Sequence, residues 1–418
     1  MARGEIYTVR VERIAAGGAG IARLEPSVPS DNLEAAGHRT GKSIFIELSA
    51  PGDLVKCRII KEQKNWAAAE LLEIKEPSPL RISPVCPLYG RCGGCSLQHM
   101  NYEAQVDAKT VILSDAFRRI GGMDTPGIRV RRSAPFEYRN RVQFHKTGKP
   151  QPGFKERKSS RLVAVEDCPV AESGIRKALK EGTLMPPTGK ERFTVYSRQN
   201  TFLSEGKQEK GRVSILGKEL IMDVRLFFQS NAAMLELLIK DLIASADEAD
   251  KSLPLADIYC GVGTFASFLG SGNQRFSWID LVEENKFSLA LARENIQAAK
   301  KVNYYALSDT QWVKTLGKNG VSSAWGFMVL DPPREGISAP LREWLSLNGP
   351  ELIAYVSCDP ATLARDSRIL ADGGYTLKEL TLYDFYPQTA HIESLAIFSR
   401  LNNRIRNPKF ITGECVET

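Results

Sequence analysis

The sequence predicts an α/β protein. A doubly wound sheet spans residues 216–418, behind a small β-barrel over residues 1–75 and a mixed α+β region over residues 76–215. Three observations carry this. From Leu226 onward, short apolar runs alternate with helical patterns, and such strands pack as a parallel sheet with helices on its faces. The first 75 residues instead show short alternating strands separated by Gly-rich turns, the pattern of a small closed barrel. Third, Glu351-Leu-Ile-Ala-Tyr-Val356 runs into Ser357-Cys358-Asp359-Pro360 and a helical pattern follows, which reads as a buried strand, a turn and a helix starting at Pro360. Ligands of open α/β sheets bind beyond the carboxyl ends of the strands. Cys358 therefore stands either at a reactive position or, like most cysteines, as a small buried thiol.

At 418 residues and 43% hydrophobic, the chain is long enough for two or three domains. No apolar run approaches the ~20 residues of a membrane span, and Met-Ala-Arg-Gly-Glu lacks a signal-peptide core. A cytoplasmic protein with no membrane partner is expected. Eight unevenly spaced cysteines do not make a disulfide scaffold and point to metal binding or catalysis. The net charge of +7 is concentrated: Arg118 to Arg161 holds thirteen Lys/Arg against three acids. Phe136, Tyr138, Phe144 and Phe154 are interleaved there. Basic groups answer phosphates and rings stack on bases, so this window suits RNA, with a plain solvated basic face as the alternative.

In chain order, Ile6 to Ile14 alternates, Gly17-Gly-Ala-Gly20 breaks the pattern, and Ser43 to Leu48, Leu54 to Ile60 and Trp66 to Glu73 complete the barrel strands. Pro77, Pro79 and Pro84 form a stiff linker. Cys86, Cys92 and Cys95 follow within ten residues, with glycines between the last two, and Cys168 is the best fourth ligand because Cys57 lies inside a strand pattern. Four thiolates fit zinc or a [4Fe–4S] cluster, and spacing alone does not choose. Asn101 to Ile120 reads as an amphipathic helix, set apart from the mixed region and expected to pack on the catalytic domain. Ser230 or Asn231 caps a helix running to about Ala244. The sheet strands are then Leu255 to Cys260, Trp278 to Glu283, Val302 to Leu307, Phe327 to Leu330 and Leu352 to Val356, closed by a hairpin near Leu377–Phe385 and Ser394–Phe398.

The loop Asp257-Ile-Tyr-Cys-Gly261-Val-Gly263 opens a helix after the first strand, and its glycines allow close approach of a nucleotide-like ligand. Lacking a third glycine, it suits a cofactor without a pyrophosphate. Glu283 ends the second strand, where a carboxylate accepts hydrogen bonds from ribose hydroxyls; Asp280 is its rival. Asp309 follows the third strand, as an adenine contact or a surface turn. Asp331-Pro-Pro-Arg-Glu-Gly336 is a rigid loop that projects Asp331 into a pocket, as in methyltransferases acting on flat rings. Glu393 supplies a carboxylate just before the last strand.

Taken together, Phe228-Gln229-Ser-Asn231, Asp257–Phe265, Asp331–Gly336, Tyr355–Asp366 and His391–Leu395 resemble the RNA uridine-5-methyltransferase family. Residues 1–75 resemble a TRAM domain, an OB-like RNA-binding module, through the Gly17–Gly20 and Ala50-Pro-Gly-Asp53 turns. Cys86, Cys92, Cys95 and Cys168 resemble the iron–sulfur branch, which acts on large-subunit (23S) ribosomal RNA. Leu281 departs from the glycine usual before the second-strand acid. The resemblance implies a class I methyltransferase fold and methyl transfer from S-adenosylmethionine to carbon 5 of uracil. Cys358 would add at carbon 6 and Glu393 would remove the carbon-5 proton. Gln229, Tyr259, Glu283 and Asp331 would bind the cofactor, and the four cysteines would hold [4Fe–4S], with zinc as the lesser alternative. Because the base must leave its stack, base flipping by a monomer acting on RNA before full ribosome assembly is expected. A transfer-RNA uridine-C5 methyltransferase, an amine-methylating enzyme of the same fold, and a non-catalytic RNA-binding assembly factor are the competing readings.

Overall fold

The computed structural model describes residues 3–23, 41–148, 151–270, 276–296, 301–316 and 324–400. Among these residues no helix is long and apolar enough to cross a membrane. Strands β1 (Ile6–Ile14), β2 (Gly20–Arg23), β3 (Ser43–Ile46), β4 (Leu54–Glu62) and β5 (Trp66–Glu76) close a barrel in the order β1-β2-β3-β5-β4. Alternation puts Val9, Val11, Ile44, Ile46, Val55, Cys57 and Ile59 inside it. Asp53 anchors the barrel to the linker, accepting from Arg81 Nη2 at 2.8 Å and from the Ser78 amide.

Helix α1 (Tyr102–Ala116) is capped by Asn101, whose side chain accepts from the Ala104 amide, and runs on as a π-helical turn, Phe117–Gly121. Strand β6 (Ile128–Arg131) follows. A five-stranded sheet, in the order β11-β10-β7-β8-β9, comprises β7 (Arg141–Lys146), β8 (Pro152–Lys155), β9 (Leu162–Ala164), β10 (Arg192–Arg198) and β11 (Thr201–Ser204), with helix α2 (Ser173–Lys180) against β10. The hairpin β12 (Lys210–Ile215)–β13 (Lys218–Asp223) leads into α3 (Ala232–Ala246). Asn231, rather than Ser230, caps α3, accepting from the Met234 amide.

The catalytic sheet alternates β14 (Leu255–Ile258), α4 (Thr264–Leu269), β15 (Ile279–Val282), α5 (Lys286–Asn295), β16 (Val302–Tyr305), α6 (Asp309–Val313), β17 (Phe327–Leu330), α7 (Ala339–Asn348), β18 (Leu352–Ser357), α8 (Pro360–Asp372), β19 (Thr376–Tyr383) and β20 (Glu393–Ser399). Its order is β16-β15-β14-β17-β18-β20-β19-β6. Strands β14, β15, β17 and β18 are buried throughout, as strands with both faces covered must be.

Two boundaries differ from the sequence reading. Strand β6, expected in the mixed region, pairs parallel with β19 and forms the edge of the catalytic sheet. Only four residues long and basic, it carries no local signal of its partner. The β12–β13 hairpin, assigned by sequence up to its turn to the mixed region, contributes Val213, Ile215, Leu220 and Met222 to the same apolar core as α3 and α5. Helix α1 and its π turn lie against α8, on the opposite face of the sheet.

Candidate active site

The strand register brings the site together. Ile258 pairs with Val282 on one side and Leu330 on the other, so Glu283, Tyr259 and Asp331 stand in one row at the carboxyl edge. Leu330 pairs with Tyr355, and Ser357 pairs with Ser394 across antiparallel β18 and β20. One step beyond that last pair, Cys358 faces Glu393. All five residues, with Gln229, line one cleft of about 1010 Å³.

Local chemistry fixes each group. Asp359 caps α8, accepting from the Ala361 amide at 2.9 Å and the Thr362 amide at 3.0 Å, and Pro360 occupies the first helical position. This strand-to-helix turn holds Cys358 half-buried at the cleft floor. Burial pushes its thiol up to about 12, with further upward push from Glu393 and Asp331, while Arg334 pulls it down. Burial raises Glu393 well above the usual carboxylate range and Asp331 adds to the shift; burial pushes Asp331 up to about 7. Two carboxylates in one cleft oppose each other's ionisation, so the resting pair tends to keep a proton.

Asp331 has a measurable consequence. Its raised value favours the protonated folded form, a contribution complete below the ordinary value of 3.8 and lost as pH rises through about 7. Asparagine imitates the neutral form at every pH. Asp331→Asn should therefore raise the thermal midpoint at about pH 8, with the gain fading towards about pH 4. Calorimetry at the two values checks this; an equal shift at both would overturn it.

At the cofactor end, Glu283 Oε2 accepts from the Gly261 amide at 3.0 Å and Oε1 from the Asn285 amide at 2.7 Å. Both oxygens are thereby oriented and each retains a lone pair. Asp280 is occupied elsewhere. Buried below the edge, it accepts from Trp325 Nε1 at 2.8 Å and Asn303 Nδ2 at 2.7 Å. The structure thus brings Glu283, not Asp280, to the cleft, despite Leu281. Gly263 has φ +77°, and a Cβ there would meet the Ala292 Cβ at 3.0 Å, so the loop's approach to α5 requires glycine. Tyr259 donates to Asp309 Oδ2 at 2.5 Å, which makes Asp309 a cleft residue rather than a surface turn. Gln229 is buried, and its Oε1 has no partner within the protein. An orphaned acceptor facing a cleft is satisfied by a ligand or by water.

Cys86, Cys92, Cys95 and Cys168 line a second cavity of about 680 Å³. Among the described residues, no group of three or more Cys, His, Asp and Glu side chains is placed to hold a metal ion. Burial pushes Cys95 up to about 11 and Cys168 up to about 12, while Arg139 pulls both down. The Gly94 amide donates to Cys92 Sγ at 3.4 Å, the kind of bond that stabilises a sulfur bearing charge. The four residues share one cavity and the thiol chemistry of a metal-ligating set, but their side chains do not converge as a metal-holding group.

Several cleft residues escaped the sequence reading. Tyr386 and His391 come from the loop joining β19 to β20, and their rings meet edge-to-face at 5.7 Å. His391 Nδ1 lies 3.5 Å from Arg334 Nη2, and burial followed by Arg334 lowers this imidazole to about 4, so it is neutral. Arg139 lines both cavities. No local pattern distinguishes it from its basic neighbours, because its position arises only when the mixed region docks on the sheet.

An open sheet with a Gly-rich first loop, an acid at the tip of the second strand and a large cleft at its carboxyl edge is the frame of an S-adenosylmethionine-dependent methyltransferase. The tRNA (uracil-54, C5)-methyltransferase of Pyrococcus abyssi, solved in complex with S-adenosyl-L-homocysteine, shares it with a TM-score of 0.68 at 22% identity, over 94% of this chain and 100% of that one. The tRNA (uracil-5-)-methyltransferase family model matches residues 207–401 and the TRAM domain matches residues 2–72. An uncharacterized RNA methyltransferase from Treponema denticola is 33% identical over 87% of this chain and 95% of its own length. The 23S rRNA (uracil(1939)-C(5))-methyltransferase of Aeromonas hydrophila is 30% identical over 87% and 93%. The chain belongs to this family of RNA (uracil-C5) methyltransferases and carries its TRAM domain at the N-terminus.

Proposed function

We propose that this enzyme methylates carbon 5 of a uridine in large-subunit ribosomal RNA through a temporary bond between Cys358 and uracil carbon 6. The observation that carries the reading is the meeting of Cys358 and Glu393 at the ends of paired strands, beside Asp331 and in one cleft with Glu283 and Gln229. Carbon 5 of uracil is a poor nucleophile towards a sulfonium methyl. A thiolate adding at carbon 6 converts the ring into an enolate whose carbon 5 accepts the methyl group of S-adenosylmethionine. Glu393, once ionised, takes the carbon-5 proton, the C5=C6 bond re-forms and Cys358 leaves. Glu283 suits the ribose hydroxyls, Gln229 and Tyr259 suit the remaining cofactor groups, and Asp331 reaches the space between cofactor and uracil.

The ribosomal assignment is supported by the Aeromonas relative and by the cysteine set; the Pyrococcus structural neighbour acts on transfer RNA, the competing substrate. Mapping 5-methyluridine in RNA from a deletion strain tests it. A mark lost from large-subunit rRNA is expected, and one lost from tRNA alone would overturn it. The four thiols would hold a [4Fe–4S] cluster, which supplies a cross-link between the linker and the mixed region and lies outside the methyl-transfer steps. Protein purified without oxygen should contain about four irons and four sulfides per chain; stoichiometric zinc without iron would exclude the cluster. The barrel and the basic window between Arg118 and Arg161 would hold RNA around the flipped base, with the enzyme acting as a cytoplasmic monomer before ribosome assembly is complete.

A further inference from the structure

The loop between β19 and β20 carries Tyr386 and His391 into the cleft and ends at Glu393, and it is held at one residue. Gln388 is buried and has φ +68°, a left-handed conformation uncommon for a residue with a side chain. Such strain persists only where the surroundings over-determine it, and it clusters at functional loops. The surroundings here are dense. The Gln388 amide donates to Gln105 Oε1 at 2.8 Å, and Gln105 Nε2 donates back to Gln388 Oε1 at 3.0 Å. The Gln388 carbonyl accepts from the Ser96 and Leu97 amides, both at 3.0 Å. Two residues on, the Ala390 amide donates to Ser96 Oγ at 3.0 Å.

The holding groups come from outside the catalytic sheet. Gln105 lies on α1, and Ser96 directly follows Cys95 of the cysteine set. The barrel reaches the same point, since a Cβ on Gly18 would meet Ser96 Oγ at 3.0 Å and the Ala390 Cβ at 3.1 Å. Nothing in methyl transfer requires these contacts, yet α1 and the Ser96–Leu97 segment both converge on one strained residue five positions before Glu393.

We infer that Gln388, gripped by Gln105 and by the Ser96–Leu97 segment, is a latch that positions Glu393 and thereby couples the cysteine-bearing segment to the step that removes the carbon-5 proton. This rests on the covalent reading above. Gln388, Gln105 and Ser96 are positioning residues and touch neither substrate nor cofactor. When the latch is loosened, the Cys358 turn and the cofactor end of the cleft, which lie on other elements, keep their geometry. Carbon-6 addition and methyl transfer then proceed, while the later step slows: proton from carbon 5 to the Glu393 carboxylate, C–H electrons into C5=C6, and the C6–S bond pair back to Cys358.

Gln388→Gly and Gln105→Leu, purified with metal content matching the unaltered protein, test this. Glycine adopts the left-handed conformation without strain, so the first variant removes only side-chain bonding, that to Gln105 included, while Gln105→Leu removes the partner of both the Gln388 amide and its side chain. Both variants should bind S-adenosylhomocysteine and form the adduct with 5-fluorouridine RNA at the unaltered level, because fluorine at carbon 5 leaves no proton to remove. On uridine RNA their kcat should fall by about 10²-fold with little change in KM, and methylated RNA–protein adduct should accumulate. Turnover equal to the unaltered protein would overturn the latch. Parallel loss of cofactor binding, adduct and turnover would also overturn it, since that is the signature of a general structural role. Failure of the unaltered protein to form any adduct would remove the covalent reading and the latch with it.

Discussion

Cys358→Ala should abolish both methylation and the covalent adduct with 5-fluorouridine RNA, a loss of at least about 10⁴-fold in turnover, while S-adenosylhomocysteine still binds. The Cys358 thiol lies in the same cleft as Glu393, placed to add to carbon 6, and alanine leaves carbon 5 unactivated. The unaltered protein also carries a pH signature. Burial, Glu393, Asp331 and Asp359 push the resting thiol up to about 12 against the pull of Arg334, so at neutral pH it is protonated until bound substrate favours the thiolate. The rate of adduct formation should therefore climb with pH across the neutral and mildly alkaline range. A rate flat with pH, or an adduct surviving in the alanine variant, would overturn the assignment. The experiment also separates the rival readings, since an amine methyltransferase or a non-catalytic RNA-binding factor forms no adduct at all.

The elements that were legible in the sequence are those whose signals are local. Each buried run of the catalytic sheet announced its strand, and Cys358, Asp331 and Glu283 follow such runs directly, so the carboxyl-edge rule brought them to the cleft, whereas Tyr259 entered only through the family resemblance. Glu393 was harder. Its place opposite Cys358 depends on β20 inserting antiparallel between β18 and β19, a register that no stretch of ten residues encodes. The choice between Asp280 and Glu283 was settled by tertiary partners, because Trp325 and Asn303 claim the first and leave the second for the cleft. Strand β6 was misassigned for a related reason: its basic tetrapeptide satisfies an edge beside β19 only after the chain has crossed from the mixed region. Arg139 and Gln388 were invisible for the same cause, since each acquires its meaning at a junction between parts of the chain that are distant in sequence.

Glu393→Gln should divide the reaction in two. The amide preserves the shape at the start of β20 but accepts no proton at carbon 5, so the methylated intermediate cannot release Cys358. Turnover should fall by about 10²- to 10⁴-fold, the usual worth of a general base, while one equivalent of methyl group is still transferred. Denaturing gels with labelled RNA should show methylated uridine RNA trapped on the protein, which the unaltered enzyme releases. The substitution also removes the largest of the three carboxylate contributions that raise the Cys358 thiol, those of Glu393, Asp331 and Asp359. Adduct formation in this variant should thus reach its half-maximal rate at lower pH than in the unaltered protein, even as release fails. Faster capture with slower release is a combination that damage to the fold does not produce. Normal turnover would remove Glu393 as the base and make the next candidate Asp331, which lines the same cleft and acts on both Cys358 and Glu393.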